Sequence, residues 1–350
     1  MIKRYIKRYL EAIADFTDTS QPPQRSPELL TQIDQTTMEY TTLGRTGLKV
    51  SVMGLGSGGY SQMGQKTGKT KKESVELVRT ALDFGINFFD TAEAYNTEHI
   101  IGKAIQPIER EQVILSTKKT LIDKGRLITS KELVKGIDRS LYNLRSDYID
   151  IYNLHGVKPD QYNYILTELV PVLFKMRDAG KIRFIGITEA FIDDPSHQML
   201  QRAVQDNCWD TIMLGFNILN QSARHQVLPQ AIDKKIGVLA MFAVRRALSN
   251  QENLKQAILR LKNMGYSELE DLDRDNPLGF LFHEQGAKNI TDAAYRFSRH
   301  QPGIDLVLFG TGNVEHLSAN ITSLLSPPLP SSDTLKLNQI FTKVDDFTGN

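Results

Sequence analysis

From Tyr40 onward the chain alternates short apolar segments, each expected to form a strand, with amphipathic stretches expected to form helices. The apolar segments end near Leu55, Asp90, Lys118, His155, Ile187, Phe216, Phe242 and Phe309. No long linker divides them, and eight strands alternating with helices is the number that closes a parallel barrel. The sequence therefore predicts a single (β/α)8 TIM barrel over residues 39–350, with an insertion between Ala247 and Asp292 after the seventh strand.

Residues 1–38 precede the predicted barrel and carry a different pattern. Ile2, Ile6, Leu10 and Ile13 fall at helical spacing with lysines and arginines between them, which predicts a short basic amphipathic helix. Such a helix could bind a membrane surface or a partner, pack on the outside of the barrel, or stay disordered. We expect an N-terminal extension that is helical or partly disordered.

Composition limits the classes of function. Lysine and arginine total 42 and aspartate and glutamate 41, so the net charge of +1 provides no field that would attract nucleic acid. The one cysteine, Cys208, can form no intramolecular disulfide and suits a reducing compartment. No apolar run approaches the roughly 20 residues of a membrane helix. We expect a cytoplasmic enzyme that acts on a small molecule, with no nucleic acid or membrane as partner and an undetermined oligomeric state.

A glycine motif near the start offers an alternative fold. Gly54, Gly56 and Gly59 match Gly-x-Gly-x-x-Gly after a predicted strand, as in a Rossmann nucleotide-binding domain. Residues Tyr60–Thr70 show no apolar periodicity, however, so the helix that would meet a pyrophosphate is missing. The barrel is therefore favoured. The histidines form no His-x-His or His-Glu-x-x-His motif, so we expect no metal.

Polar residues stand at the ends of successive predicted strands. Asp90, Lys118 and His155 each close an apolar segment, and Tyr95 follows five residues after Asp90. In a barrel, side chains at the carboxyl ends of the strands converge on one mouth, where catalysis takes place. The sequence therefore predicts that Asp90, Tyr95, Lys118 and His155 form a catalytic group.

These four residue types suit the reduction of a carbonyl by hydride. The carbonyl oxygen gains negative charge during such a reaction and needs a proton donor. Tyr95 can donate, and the cation of Lys118 would lower the ordinary pKa of about 10 that a phenol has. Asp90 can pair with the lysine, and a neutral His155 can donate a hydrogen bond to the substrate oxygen.

Several segments of the chain resemble the aldo-keto reductase superfamily over about Tyr40–Gly349. The similar segments are Leu43–Ser51, Gly85–Tyr95 with Glu98 and Gly102, Ser116–Lys118, Asp150–His155 and Gly180–Gly186. The first resembles the hairpin that closes the bottom of the barrel in that superfamily. The resemblance implies a (β/α)8 barrel, a nicotinamide cofactor bound across its mouth, and reversible carbonyl reduction with Tyr95 as the general acid.

The resemblance also implies a set of cofactor contacts, in which several residues depart from the usual pattern. Thr188, Glu189 and Met213 replace the Ser, Asn and Gln that hold the nicotinamide carboxamide, and Phe216 replaces the Tyr that stacks on the ring. Arg245, with Arg246 beside it, could contact the pyrophosphate after strand 7. The complete implied set is Gly56, Thr188, Glu189, Met213, Phe216, Phe242, Val244, Arg245, Gly310, Thr311, Asn313, His316 and Asn320.

We expect an NADP(H)-dependent oxidoreductase that reduces an aldehyde, ketone or sugar carbonyl, with NAD(H) as the second candidate cofactor. NADP-preferring relatives commonly have Lys and Arg where this chain has Gly310 and His316. The alternative is a nucleotide-binding regulatory or sensor protein on the same barrel, with slow or no turnover. The loops that would select the substrate, Gly58–Thr70, Gly156–Tyr164 and Ala247–Asn289, follow no recognisable pattern.

Overall fold

The computed structural model describes residues 37–350, and the helix predicted near the start of the chain lies outside these residues. Eight parallel strands form a closed barrel in the order β10, β11, β12, β3, β4, β5, β8 and β9. The strands are β1 (Tyr40–Thr42), β2 (Lys49–Ser51), β3 (Met53–Gly56), β4 (Phe88–Asp90), β5 (Ile114–Thr120), β6 (Ile122–Asp123), β7 (Arg126–Leu127), β8 (Ile149–Val157), β9 (Ile182–Glu189), β10 (Thr211–Gly215), β11 (Gly237–Met241) and β12 (Leu306–Phe309).

Helices surround the barrel and begin where the sequence offers capping groups. Thr70 and Thr129 each accept a hydrogen bond from a backbone N–H of the first turn, and Glu73 and Glu132 complete the two capping boxes. The helices are α1 (Lys71–Asp83), α2 (Glu98–Ile105), α3 (Ser130–Leu144), α4 (Tyr162–Tyr164), α5 (Val170–Asp178), α6 (Gln198–Ala203), α7 (Ala223–Gln226), α8 (Leu228–Asp233), α9 (Gln251–Asn263), α10 (Ile290–Arg299), α11 (Val314–Leu325) and α12 (Ser331–Phe341). The predicted (β/α)8 barrel is thus confirmed, and the Rossmann alternative is excluded by the closed sheet.

A hairpin closes the amino-terminal end of the barrel. β1 and β2 pair antiparallel, with Thr41 opposite Val50. Leu43, Leu48 and Val50 are buried in the barrel interior together with residues of the strands, including Phe88. Burying these apolar side chains fills the space that the strands enclose, so the lower end of the barrel is solid core. The four residues predicted to be catalytic lie at the opposite end.

The chain between β11 and β12 contains the predicted insertion. It holds a turn at Arg246–Leu248, helix α9 and two further turns at Ser267–Leu269 and Gly279–Leu281 before α10 begins. Because it leaves the carboxyl end of β11, this insertion starts on the side of the barrel where the residues predicted to be catalytic lie. Two strands run further than the sequence indicated, since β5 continues past Lys118 to Thr120 and β8 continues past His155 to Val157.

Candidate active site

The four residues predicted to be catalytic lie together at the carboxyl end of the barrel. β4 carries Asp90, a short 3-10 turn carries Tyr95, β5 carries Lys118 and β8 carries His155. The Tyr95 hydroxyl lies 3.2 Å from Nε2 of His155. Nζ of Lys118 lies 2.5 Å from Oδ2 of Asp90. The phenol, the imidazole and the buried ion pair therefore form one continuous group.

Lys118 is a buried cation whose charge is matched and held in place. Its ammonium donates to the Asp90 carboxylate and, at 2.9 Å, to the backbone oxygen of Thr91. Asp90 also accepts a hydrogen bond of 2.9 Å from the hydroxyl of Ser116. The side chain of Lys118 is 2% exposed, and its Nζ lies 5.4 Å from the centre of the Tyr95 ring. A charge this deep is tolerated because it is paired and hydrogen-bonded.

Opposing effects act on the Tyr95 phenol. Burial raises its pKa above the ordinary value, the charge of Lys118 lowers it, Asp90 raises it and Arg245 lowers it. The raising effects prevail in this structure, so Tyr95 carries its proton at neutral pH. A proton donor in its acid form, with two cations that favour the anion it leaves behind, is what carbonyl reduction requires.

His155 is a neutral imidazole. Burial and the nearby charge of Lys118 lower its pKa to about 3. In the neutral form one ring nitrogen carries hydrogen, so His155 can donate a hydrogen bond without adding charge. Its Nδ1 is buried and has no hydrogen-bond partner among residues 37–350. This side chain can therefore orient an oxygen at the site through one nitrogen only, Nε2.

Supporting contacts that the sequence did not reveal fix the position of Tyr95. A Cβ atom on Gly58 would lie 2.2 Å from Cε2 of Tyr95, so only glycine allows the loop after β3 to cover the ring this closely. On the other side, Glu93 in the same turn accepts from Lys119 at 2.6 Å and from Arg139 at 2.7 Å. The turn is thus held by an ion network outside the barrel.

The residues expected at the nicotinamide carboxamide are engaged with other parts of the protein. The Thr188 hydroxyl oxygen accepts from the backbone N–H of Gly156 at 2.8 Å, which leaves its hydrogen free to be donated. Glu189 is fully enclosed, with its carboxylate 2.8 Å from Nδ1 of His197. It also accepts from the backbone N–H of Gly215 at 2.7 Å.

Met213 and Phe216 are likewise part of the core. Met213 packs in the barrel interior. Phe216 is fully buried, its ring parallel to that of Phe297 at 5.8 Å, with the guanidinium of Arg224 at 5.7 Å. Neither side chain presents a free surface in this structure. The departures from the family pattern at these positions are therefore accompanied by new packing partners, which the sequence pattern did not indicate.

The residues expected at the adenosine end lie where stretches of backbone pack closely together. A Cβ on Gly310 would lie 3.3 Å from the backbone oxygen of Gly56, and one on Gly312 would lie 2.5 Å from the backbone nitrogen of Gly64. Asn313 caps helix α11 by accepting from the backbone N–H of His316. The turns around Gly310 and Gly312 thus lie at the start of helix α11, and helix starts commonly bind phosphate groups.

The remaining implied cofactor residues lie on α11, in the turn before it and along the loop after β11. Thr311 exchanges hydrogen bonds with Asn313, donating to its backbone oxygen and accepting from its backbone N–H. Asn320 is half-buried on α11, and His316 is exposed near its start. Phe242 and Val244 are half-buried after β11. Lys69, which the sequence did not single out, packs its stem beside Gly64.

Within residues 37–350 no cluster of three or more His, Cys, Asp or Glu side chains could hold a metal ion. The helices described there are all too short or too polar to cross a membrane.

Residues 53–341 match the sequence model of the "Aldo/keto reductase family". The chain is 32% identical to aldo-keto reductase YhdN of Bacillus subtilis, over 87% of this chain and 93% of that protein. It is 29% identical to L-galactose dehydrogenase of Arabidopsis thaliana, over 83% of this chain and 89% of that protein. The chain therefore belongs to the aldo/keto reductase family, whose members are oxidoreductases that generally use nicotinamide cofactors.

Solved structures agree with this fold. Aldo-keto reductase AKR11C1 from Bacillus halodurans, in its holo form, superposes with a TM-score of 0.66 at 22% identity, covering 87% of this chain and 96% of that one. The thermostable aldo-keto reductase Tm1743, solved with the inhibitor epalrestat, superposes with a TM-score of 0.64 at 24% identity, covering 87% of this chain and 100% of that one. At identities of 22% and 24%, these similarities support the barrel fold alone.

Proposed function

We propose that this protein is an NADP(H)-dependent oxidoreductase that interconverts an aldehyde, ketone or sugar carbonyl and its alcohol, with Tyr95 as the general acid. The observation that carries the proposal is the Tyr95 hydroxyl 3.2 Å from His155, beside a Lys118 ammonium that is buried and paired with Asp90. A phenol, a neutral donor and a fixed cation converge where a carbonyl oxygen would gain negative charge.

Each side chain has a distinct part in the proposed reaction. Tyr95 donates its proton to the carbonyl oxygen, and Lys118 stabilises the phenolate that remains. His155 donates a hydrogen bond from Nε2 that positions the same oxygen, while Asp90 keeps the lysine in place. In the direction of alcohol oxidation the phenolate accepts the proton instead. The barrel core beneath these residues excludes water from one side of the site.

A nicotinamide cofactor supplies or accepts the hydride in the proposed reaction. Its adenosine end would be held by residues Gly310–Asn313 together with Asn320. Its carboxamide would be held by the Thr188 hydroxyl. Glu189 is hydrogen-bonded to His197, and the Phe216 ring is covered by Phe297. We therefore expect these two side chains to lie behind the nicotinamide ring without contacting it directly.

The proposed preference for NADP(H) rests on the family and on one further cation. Lys69 lies beside Gly64, whose backbone approaches Gly312, and could meet a 2′-phosphate there. Its ammonium is paired at 3.1 Å with Glu73, and His316 is the other nearby base, so we expect a modest preference over NAD(H). A relative from Escherichia coli, 30% identical over 57% of this chain and 66% of its own, is named an NADH-specific methylglyoxal reductase.

The proposal is tested with the purified full-length chain and a panel of aldehydes, ketones and sugars. Consumption of each reduced cofactor is followed by its nicotinamide absorbance. We expect turnover of at least one carbonyl, with a higher catalytic efficiency for NADPH than for NADH. Tight cofactor binding without turnover of any carbonyl would contradict the enzymatic proposal and favour the regulatory alternative.

The single cysteine, with no disulfide to form, also leads us to infer a cytoplasmic setting.

A further inference from the structure

Arg245 follows β11 at the catalytic end of the barrel, and its guanidinium is held in a fixed orientation. The guanidinium carbon lies 4.3 Å from the centre of the Phe242 ring. Its Nε donates a hydrogen bond of 3.0 Å to Oδ1 of Asn350. A flat guanidinium that lies against an aromatic ring and is tied at Nε has lost most of its freedom. Its two terminal nitrogens therefore point in a set direction.

The aromatic ring beneath the guanidinium is itself fixed. Phe242 has a backbone φ of +66°, a left-handed conformation that is unfavourable for a phenylalanine and persists only where the surroundings impose it. Its ring meets the edge of Phe191 at 5.4 Å, and Phe191 stacks on His197 at 5.3 Å. His197 is held by the buried carboxylate of Glu189. The support for Arg245 thus extends back to β9.

The terminal nitrogens of Arg245 have no hydrogen-bond partner within residues 37–350. No aspartate or glutamate of that part of the chain forms an ion pair with this side chain, and neither nitrogen is sealed from solvent. A half-buried guanidinium with two parallel donors unsatisfied matches the two oxygens of a carboxylate. The feature is therefore suited to an anion that comes from outside the chain.

The charge of Arg245 acts at the reacting end of the site. It lowers the pKa of the Tyr95 phenol, and the phenol in turn raises the pKa of Arg245. Both groups lie at the carboxyl end of the barrel, Tyr95 in the turn after β4 and Arg245 in the loop after β11. The residues expected to hold the adenosine end lie elsewhere, at Gly310–Asn313 between β12 and α11.

We propose that Arg245 binds a carboxylate of the carbonyl substrate, so that the preferred substrates are aldehydes or ketones that carry a carboxylate a few carbon atoms from the carbonyl. This inference rests on the proposed function, because it assigns the substrate class of the same site. It also replaces the pyrophosphate contact that the sequence suggested for Arg245.

The test compares 4-oxobutanoate with its methyl ester, which differ in charge at one end. For the wild-type chain we expect a kcat/KM at least about tenfold higher for the acid than for the ester. Arg245→Met should lower kcat/KM for the acid about 10- to 100-fold more than for the ester, mainly through KM, because both substrates lose the effect of the charge on Tyr95 but only the acid loses a binding partner. Arg245→Lys should restore part of the preference, because it keeps the charge without the fork.

Arg260→Met provides the matched control. Arg260 is an exposed arginine of α9 whose guanidinium also lies over an aromatic ring, 5.4 Å from the centre of Phe347. Its replacement removes the same charge and the same kind of stacking. We expect it to retain the wild-type preference for the acid, and circular dichroism should show that both variants are folded.

Two outcomes would overturn the inference and leave the proposed function intact. One is equal efficiency of the wild type with acid and ester. The other is an Arg245→Met variant that keeps its acid preference while the KM for the cofactor rises, which would return Arg245 to the cofactor.

Calorimetry decides the matter if neither compound is reduced. Binding of 4-hydroxybutanoate and of 1,4-butanediol is then measured with NADP⁺ present. Tighter binding of the acid that is lost in Arg245→Met supports the inference, whereas equal binding of the two compounds overturns it. A lack of turnover with every carbonyl contradicts only the proposed function.

Discussion

At the scale of single residues, the proposed reaction depends on how Tyr95 holds and releases one proton. The phenol is half-buried, and burial alone would keep it protonated far above neutral pH. Lys118 and Arg245 both lower the pKa of the phenol, Lys118 from beneath the ring and Arg245 from the loop after β11. Proton donation therefore depends on cations that the fold positions independently.

Tyr95→Phe removes the proposed acid and leaves the shape of the site nearly unchanged. We expect kcat to fall by about 100-fold or more, because a positioned general acid contributes roughly that factor. The Kd for the cofactor, measured by calorimetry, should stay within about threefold of the wild-type value. Tyr142→Phe, on the exposed face of α3, serves as the control and should turn over normally. Near-normal kcat in Tyr95→Phe would show that another group supplies the proton.

Lys118→Met tests the coupling between the lysine and the phenol. The ammonium lowers the pKa of Tyr95, so its loss should raise that pKa. In alcohol oxidation the phenolate is the base, and the pH at which it forms should then move upward by about a unit or more. The measurement is kcat against pH in the oxidative direction, on protein shown to be folded. A profile that does not move would contradict the coupling.

At the scale of elements, the sequence indicated the strands and missed the partners that cross between them. The eight strands were predictable because each is a short apolar run between amphipathic helices. The proximity of Asp90, Tyr95, Lys118 and His155 was predictable because strand ends converge in a barrel, and their catalytic role stays a prediction. The pairing of Glu189 with His197 was not predictable, because the backbone at His197 is left-handed and no local sequence pattern indicates this conformation.

Long-range packing explains the other difference at the cofactor end. Phe216 follows β10 and its ring partner Phe297 lies on α10, so their contact depends on how helix and barrel pack. The sequence suggested that the Phe216 ring would be free to stack on the nicotinamide, because a sequence does not show packing partners from a distant helix. The close approach of Gly58 to Tyr95 was missed for the same reason, although the glycine-rich run around it was visible.

The pair of Glu189 and His197 should stabilise the connection between β9 and α6. His197→Ala would leave the buried carboxylate with only the Gly215 N–H as partner. Removing one member of a buried pair costs about 3 kcal/mol or more, so we expect the free energy of unfolding in urea to fall by that amount.

The control for this prediction is His225→Ala, since His225 is exposed on α7. We expect it to change the free energy of unfolding by no more than about 0.5 kcal/mol. A loss below about 1 kcal/mol in His197→Ala would mean that the carboxylate finds another partner or takes up a proton.

At the scale of the whole molecule, the barrel separates a stabilising end from a reactive end. The β1–β2 hairpin fills the amino-terminal end with Leu43, Leu48 and Val50, while the carboxyl end holds the polar groups. The sequence predicted this division through the resemblance of Leu43–Ser51 to a closing hairpin. It did not show which charged residue would join the hairpin to the barrel.

Asp305 is that residue. It lies directly before β12, and its Oδ2 accepts from the backbone N–H of Val238 on β11 at 2.9 Å. The backbone N–H of Gly44, in the hairpin turn, also donates to it. Burial raises its pKa to about 6 in spite of these two donors, which lower it. The ordinary pKa of an aspartate in an unfolded chain is about 3.9.

Because the pKa of Asp305 is raised in the folded state, its ionised form destabilises the fold at neutral pH. A folded-state pKa above the unfolded one means that the protonated form stabilises the fold, so this contribution is complete below about pH 4 and is lost as pH rises through about 6. Asp305→Asn keeps an acceptor oxygen and never ionises. Its free energy of unfolding at pH 8 should therefore exceed the wild-type value by about 1 to 2 kcal/mol, a figure reduced for partial exposure. That advantage should shrink as pH falls from about 6 to 4. Urea unfolding across this range measures it, with exposed Asp147→Asn as the control, and a constant difference between Asp305→Asn and wild type would contradict the role of Asp305.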